Sequence, residues 1–351
     1  MTHGRLDTAA RKRPLKIGLI GLGLISHWHI EAIKLKKNII ISALSDVNHV
    51  ILAKKGQELG VKALYSDYRD MLKNADVDMV DIMTPHSHHA QCISDVLASQ
   101  RMVICEKPLV TTIEDLNVVE KLSKKMNIPI YVKHYMRYSR AYMFAQELLL
   151  KESIGKPYYV QCTFTTNSTR DYANPHTWKG NLLEGGGGVF IDVGAHILDL
   201  LILLFGHPIS TYGQRDKILT KLSTKGEDFL TAIVEFPKKI AANIVCTEND
   251  AAYGFRWEVR IYGTKGAIVI IDQGKEKKVL QHIQDNQILH EYVEDNWWEQ
   301  SNIHAVEDIL DRIQNGQAPK VPMEDIRSAI ETIVATYESS SSGKKVLLAT
   351  P

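Results

Sequence analysis

Cysteine is scarce: Cys92, Cys105, Cys162 and Cys246 are the only four in 351 residues, and no two form a CxxC pair. This pattern excludes a disulfide framework and a cysteine-based metal site, and it fits unpaired thiols in a reducing, cytoplasmic setting. Excess charge of either sign is also missing. Lys+Arg total 42 against 41 Asp+Glu, a formal net charge of +1, which leaves no electrostatic footprint for nucleic acid or an anionic membrane. No apolar stretch reads as long enough to span a bilayer, and there is no twin-arginine pair. Arg11-Lys12-Arg13 ahead of Leu15 to Ile25 has the order of a signal peptide. Against that, Lys16 interrupts the run, no small-residue cleavage site follows, and the run contains the glycines of a nucleotide loop. Residues 1–13 are therefore read as a disordered tail. His86, His88 and His89 cluster without a carboxylate or cysteine set at ligand spacing, so no metal is expected there.

What is present is enough apolar residue, 44% of the chain, for two packed cores. Leu15 to Ile20, Ile39 to Leu44, Val77 to Met83, Arg101 to Cys105 and Ile128 to Lys133 read as strands separated by helical patterns. Such interleaving implies right-handed crossovers and a parallel sheet covered on both faces. The pattern changes beyond Arg140. A helix at Ala141 to Lys151, a strand at Tyr158 to Thr165 and an intensely apolar helix at Val189 to Phe205 precede hairpin signals: Thr231 to Phe236 with Ile240 to Cys246, then Arg256 to Tyr262 with Ala267 to Ile271, then Val279 to Ile283. Amphipathic segments Asn302 to Gln314 and Pro322 to Ser339 close the chain as helices. The expected organisation is α/β throughout. A parallel-sheet domain over residues 14–136 precedes an α/β domain over 137–351 with a mainly antiparallel sheet, and the last helices are free to pack back on the first domain.

Gly21-Leu22-Gly23-Leu24-Ile25-Ser26 follows the first predicted strand and opens a helix. Gly21 permits the tight turn and Gly23 lets backbone approach a pyrophosphate at the positive end of the helix, while Ser26 is small enough to replace the third glycine of a dinucleotide fingerprint. Asp46 ends the second strand, where a carboxylate accepts bonds from both ribose hydroxyls and repels a 2′-phosphate. NAD is therefore favoured over NADP.

Thr84-Pro85-His86 and Glu106-Lys107-Pro108 follow predicted strands, at the carboxyl ends where open α/β sheets bind ligands. An ammonium at Lys107 can hydrogen-bond a substrate hydroxyl and stabilise alkoxide charge. In Gly185-Gly186-Gly187-Gly188-Val189-Phe190-Ile191-Asp192-Val193-Gly194-Ala195-His196, a four-residue separation puts Asp192 and His196 on one helical face as a proton-transfer pair. The glycines are expected to allow close approach of a ligand. Asp199 competes as an orienting partner for His196. On the loop ahead of that helix, Arg170, Asp171, Tyr172, His176 and Trp178 suit a sugar, through apolar stacking and hydroxyl bonding.

Taken together, Gly21-Leu22-Gly23, Thr84-Pro85 with His89, Glu106-Lys107-Pro108, Trp178-Lys179, Gly186-Gly187-Gly188 and Asp192 with Gly194 and His196 make the chain resemble the glucose-fructose oxidoreductase / inositol dehydrogenase family, often called Gfo/Idh/MocA. The resemblance runs along nearly the whole length. It implies a Rossmann domain, a C-terminal domain whose open sheet commonly forms homodimers or homotetramers, and a catalytic set of Lys107, Asp192 and His196. It implies cofactor contacts from Gly21, Gly23, Leu24, Ile25, Asp46, Thr84, Pro85, His86, His89, Glu106, Lys107, Trp178 and Lys179. It also implies substrate contacts from Lys107, Arg137, Arg170, Tyr172, His176, Asp192 and His196. Two positions depart from the family: His86 stands where asparagine is common, and Lys179 where arginine is. The expected reaction is reversible NAD-dependent oxidation of a secondary alcohol on a sugar, sugar derivative or inositol. The competing readings are an NAD-dependent glycoside hydrolase working through transient C3 oxidation, a keto-sugar nucleotide reductase, and a non-catalytic ligand sensor.

Overall fold

The computed structural model describes residues 13–167, 178–180, 182–218, 226–249, 254–274 and 276–349. The described chain divides into two compact units. One runs to Tyr135 and adds Asn302–Met323; the other holds Met136–Ser301 and the residues from Glu324 onward.

In the first unit, β1 (Leu15–Ile20), β2 (Ile39–Ser45), β3 (Leu64–Tyr65), β4 (Met79–Ile82), β5 (Met102–Glu106) and β6 (Ile130–Lys133) form one sheet in the order β3-β2-β1-β4-β5-β6. Every pairing is parallel. Helices α1 (Ser26–Lys34), α2 (His49–Leu59), α3 (Tyr68–Asn74), α4 (His89–Ala98) and α5 (Ile113–Met126) link the strands. β4, β5 and β6 are buried at every position, as strands covered on both faces must be. Side chains set the helix ends. Asn48 accepts from the amides of Val50 and Ile51 at the start of α2, and Gly60 closes that helix at φ +67°. The core joins Ile17, Leu19, Met79 and Ile104 to Ile30 and Ile33 of α1, and to Val306, Ile309, Leu310 and Ile313 from late in the chain. The strand order reverses between β1 and β4, placing a topological switch point at the carboxyl ends of those strands.

The second unit begins with α6 (Arg140–Leu150) and β7 (Pro157–Thr165), and continues through a short helix, α7 (Leu182–Gly185), to a π-turn at Phe190–Gly194 that runs into α8 (Ala195–Phe205). Then come β8 (Ser210–Asp216), β9 (Phe229–Phe236), β10 (Ile240–Thr247), β11 (Arg256–Gly263), β12 (Ala267–Gln273), β13 (Lys277–Gln284) and β14 (Gln287–Asp295), with helices α9 (Trp297–Gln314) and α10 (Met323–Ser342) and a final β15 (Val346–Leu347). Nine strands form an open sheet in the order β14-β13-β12-β11-β7-β10-β9-β8-β15. β7 and β10 pair parallel, and the other pairings are antiparallel. β10 alternates strictly, with Ile240, Ala242, Ile244 and Cys246 buried, so one face of the sheet packs inward.

Two sequence expectations are revised. The run Leu183–Phe205 is, by length and composition, apolar enough to cross a membrane, contrary to the reading that no such stretch exists; 83% of its most apolar window is buried inside the fold. Every residue from Ala195 to Ile202 is buried, so its apolarity is that of a helix packed on all sides. Strands β3, β8, β14 and β15 were not anticipated. β3 and β15 are two residues each. β14, an edge strand exposed at most positions, carries no alternating apolar signal.

One buried cation stands out near β13. Lys278 is wholly buried with Nζ 3.5 Å from the Trp297 ring centroid, 4.0 Å from that of Tyr142 and 3.5 Å from Asp272. Burial pushes the Asp272 carboxyl up to about 7 against the opposing pull of Lys278.

Candidate active site

The nucleotide loop sits between β1 and α1. Gly21 adopts φ +85°, and a Cβ there would lie 2.7 Å from the Met83 carbonyl oxygen, so the turn requires glycine twice over. A Cβ on Gly23 would meet nothing within 4 Å, which leaves that stretch of backbone open to approach. Ser26 fits the third small position: it is fully buried, and its hydroxyl donates to the Gly23 carbonyl at 2.7 Å. The start of α1 at Ile25 has no side-chain cap; the amides of Ser26, His27 and Trp28 donate to the Gly23, Leu24 and Ile25 carbonyls at 3.1 to 3.3 Å. Leu24, beside it, is 93% exposed. Asp46 accepts from the Leu22 amide at 2.7 Å through Oδ2 and from the Asn48 amide at 2.8 Å through Oδ1. Its carboxylate is therefore locked beside the glycine loop at the end of β2. The loop, the uncapped helix and the fixed carboxylate fit a dinucleotide.

Thr84, Pro85 and His86 follow β4, and Lys107 follows β5. His86 is buried, its ring edge-on to His89 with centroids 5.9 Å apart. Three residues read as contacts for cofactor or substrate have polar atoms bonded within the protein. His89 is fully buried, with Nδ1 2.8 Å from the Pro108 carbonyl oxygen and Nε2 2.9 Å from that of Thr84. It braces the loop after β4 to the loop after β5, and burial pushes its pKa down.

Glu106 is the second. Its Oε1 lies 2.7 Å from Lys133 Nζ and 2.9 Å from His29 Nε2, and its Oε2 accepts from the Lys107 amide at 3.1 Å. His29 continues the chain, with Nδ1 2.6 Å from Asp81 Oδ2. The quartet Asp81, His29, Glu106 and Lys133 is buried and balances two carboxylates with two cations. Burial works against the charged forms of both His29 and Glu106. Even so, Asp81 and Glu106 together raise His29, while Lys133 and His29 hold Glu106 well below the usual carboxylate range. Glu106 thus holds the backbone of Lys107 from beneath. Sequence reading missed His29, Asp81 and Lys133. The signal was present, since a carboxylate inside the apolar strand Met79-Val80-Asp81-Ile82 demands a buried partner.

Arg137 is the third. Its Nε and Nη2 bind both oxygens of Asp199 at 2.7 to 2.9 Å, and Nη2 reaches Asp325 at 2.8 Å. This is a buried ion-pair anchor within the second unit.

Asp192 lies in the π-turn and His196 in the first turn of α8, 8% and 6% exposed. π-turns recur at functional sites because they re-aim side chains within a helix. Asp192 Oδ2 is 2.9 Å from Lys179 Nζ, which also lies 5.5 Å from the centroid of the Trp178 ring. The His196 ring is tilted against Trp257, 6.2 Å between centroids. Arg170, Tyr172 and His176, expected at the substrate, and Asp171 with them, lie outside the described residues.

The glycines before the π-turn have a different reason from the expected one. A Cβ on Gly188 would fall 1.9 Å from the Glu227 carbonyl oxygen, and one on Gly226 would fall 2.7 Å from that of Gly187. Close approach is to the protein's own Glu227 segment. Glu227 and Tyr337 are further residues that sequence reading missed; they carry no local motif.

Comparison with known proteins agrees with this geometry. Residues 15–134 match the family model described as an oxidoreductase family with an NAD-binding Rossmann fold, and residues 146–348 match the model of the same family's C-terminal alpha/beta domain. The myo-inositol 2-dehydrogenase of Thermotoga maritima is 25% identical over 340 residues, covering 95% of this chain and 98% of that protein. A levoglucosan dehydrogenase solved with NADH and levoglucosan shares the fold at a TM-score of 0.85 and 20% identity, with 96% of this chain and 100% of that one covered. An oxidoreductase from Agrobacterium radiobacter, solved with NAD+, L-tartaric acid and magnesium, does so at 0.82 and 21%, covering 95% and 98%. With both of its domain models matched in order along one chain, this protein belongs to the GFO/IDH/MocA oxidoreductase family, its first unit being the NAD-binding Rossmann domain.

Proposed function

We propose that the protein is an NAD-dependent dehydrogenase of a secondary alcohol on a cyclic polyol or sugar. The observation that carries this reading is Asp192 and His196, both buried, one helical turn apart on the segment leading into α8, in a chain of an NAD-binding oxidoreductase family. Relatives named for inositol and levoglucosan support the substrate class.

The Gly21–Gly23 loop and the Asp46 carboxylate would hold NAD, which would supply the acceptor for the hydride of the carbinol carbon. His196 takes the hydroxyl proton as that hydride leaves, and Lys107 supplies positive charge that stabilises a developing alkoxide. Asp192, its charge balanced by Lys179, orients the substrate or the imidazole. Thr84, Pro85, His86 and Trp178 complete the cofactor surface. Glu106 and His89 act one step back, fixing the backbone around Lys107.

The test is incubation with NAD and a panel of inositols, hexoses, glycosides and sugar nucleotides, following NADH absorbance and product release. Accumulating NADH with a cyclic polyol or free sugar is the expected result. Release of aglycone without net NADH replaces the dehydrogenase by a hydrolase. Tight NAD binding with no turnover across the panel leaves a ligand sensor.

A further inference from the structure

Asp192 and His196 owe their placement to a helix start that has no conventional cap: Val189 precedes the π-turn without a side-chain bond. Its leading amides are satisfied from elsewhere in the chain. Glu227 Oε2 accepts from the Gly188 amide at 3.1 Å, Glu227 Oε1 accepts from the Phe190 amide at 2.9 Å, and the Glu227 carbonyl accepts from the Val189 amide at 2.9 Å. Tyr337, on α10, takes the next amide: its hydroxyl accepts from Ile191 at 3.2 Å and donates to Glu227 Oε1 at 2.8 Å. The consecutive amides from Gly188 to Ile191, just before Asp192, are thereby bound by two side chains and one carbonyl from distant parts of the second unit.

The steric fit matches the bonding. A Cβ on Gly187 would lie 2.9 Å from the Tyr337 hydroxyl, and the contacts at Gly188 and Gly226 allow no side chain either. Glu227 is 6% exposed. Burial raises its pKa, with the Phe190 amide and the Tyr337 hydroxyl opposing. Arg215 lies over the Tyr337 ring, 4.7 Å from its centroid. A carboxylate bound to helix-start amides also lies where the helix dipole favours negative charge.

We propose that Glu227 and Tyr337 are positioning residues: a latch that sets the pitch and direction of the π-turn, and through it the aim of Asp192 and His196. The catalytic meaning of that aim rests on the reading under Proposed function, but the latch itself is tested without turnover. Neither side chain is proposed to touch substrate or cofactor.

The test uses the full-length protein with NAD bound and the variants Tyr337→Phe and Glu227→Gln. Phenylalanine keeps the ring and its packing while removing one donor and one acceptor, so it separates the latch from the core. Backbone hydrogen exchange at Gly188, Phe190 and Ile191 is expected to accelerate about tenfold in each variant while the amides of β9 and β10 keep wild-type rates. The His196 imidazole, followed by NMR and assigned by its loss in His196→Ala, is expected to shift its titration midpoint by about half a pH unit. Unchanged exchange at the three amides, acceleration spread evenly through the second unit, or an unmoved His196 titration would each overturn the latch. Turnover is read separately: a wild type that oxidises no polyol or sugar sinks the dehydrogenase reading, while the exchange and titration results still decide for or against the latch.

Discussion

Lys179 Nζ lies 2.9 Å from Asp192 Oδ2. The carboxylate that sequence pairs with His196 therefore has a cation of its own, contributed by the residue that departs from the family's usual arginine. A lysine offers a compact point charge where arginine presents a planar fork, and here that charge lies against Asp192. Lys179→Met is expected to lower kcat/KM about two- to fivefold, the scale of one partly exposed ion pair, with NAD affinity unchanged. Steady-state kinetics beside NADH fluorescence titration check this; a weaker NADH complex with normal kcat would return Lys179 to the cofactor.

Asp46 holds the Leu22 amide and is proposed to offer acceptor positions to the ribose. Asp46→Ala removes both. Loss of hydrogen bonds to a charged group costs about 1.5–3 kcal/mol each, so NAD affinity is expected to fall at least about tenfold. The preference over NADP narrows at the same time, because the charge that repels a 2′-phosphate is gone. Parallel titrations with NADH and NADPH read both effects.

The buried quartet around Glu106 makes stability depend on pH in two windows. His29 has a folded pKa above its unfolded value, so its contribution is complete below the unfolded pKa and is lost as pH rises through the folded one. Glu106 has a folded pKa well below its unfolded value, so its contribution is present above the unfolded pKa and is lost as pH falls through the folded one. Thermal melts of wild type and His29→Gln are expected to differ most in mildly acid solution and to converge as pH rises into the alkaline range. A difference independent of pH would contradict a charged His29.

The parallel domain was legible because its strands are short, apolar and punctuated by helical spacing. Leu15 to Ile20 is the observed β1, and the other predicted strands of that sheet match within a few residues. Edge strands were not legible: β14 reads Gln-Ile-Leu-His-Glu-Tyr-Val-Glu-Asp and is mostly exposed, so packing imposes no alternation on it. At the site, sequence reading named residues that stand in motifs, but not the partners that hold them. Gly188 looked like room for a ligand, whereas its contact is Glu227, 39 residues away. Glu106 looked like a cofactor contact, whereas its partners His29 and Lys133 converge on it only through the sheet and α1. A buried charge announces that it needs a partner without naming one.

The most direct test of the central proposal, that Lys107 and His196 each carry part of the oxidation, is steady-state turnover of Lys107→Met and His196→Ala with a polyol or sugar that reduces NAD, beside NADH titration of each variant. The expected result is a loss in kcat of about 10²–10⁴-fold for each, with NADH affinity retained. Wild-type turnover retained in both variants would contradict it.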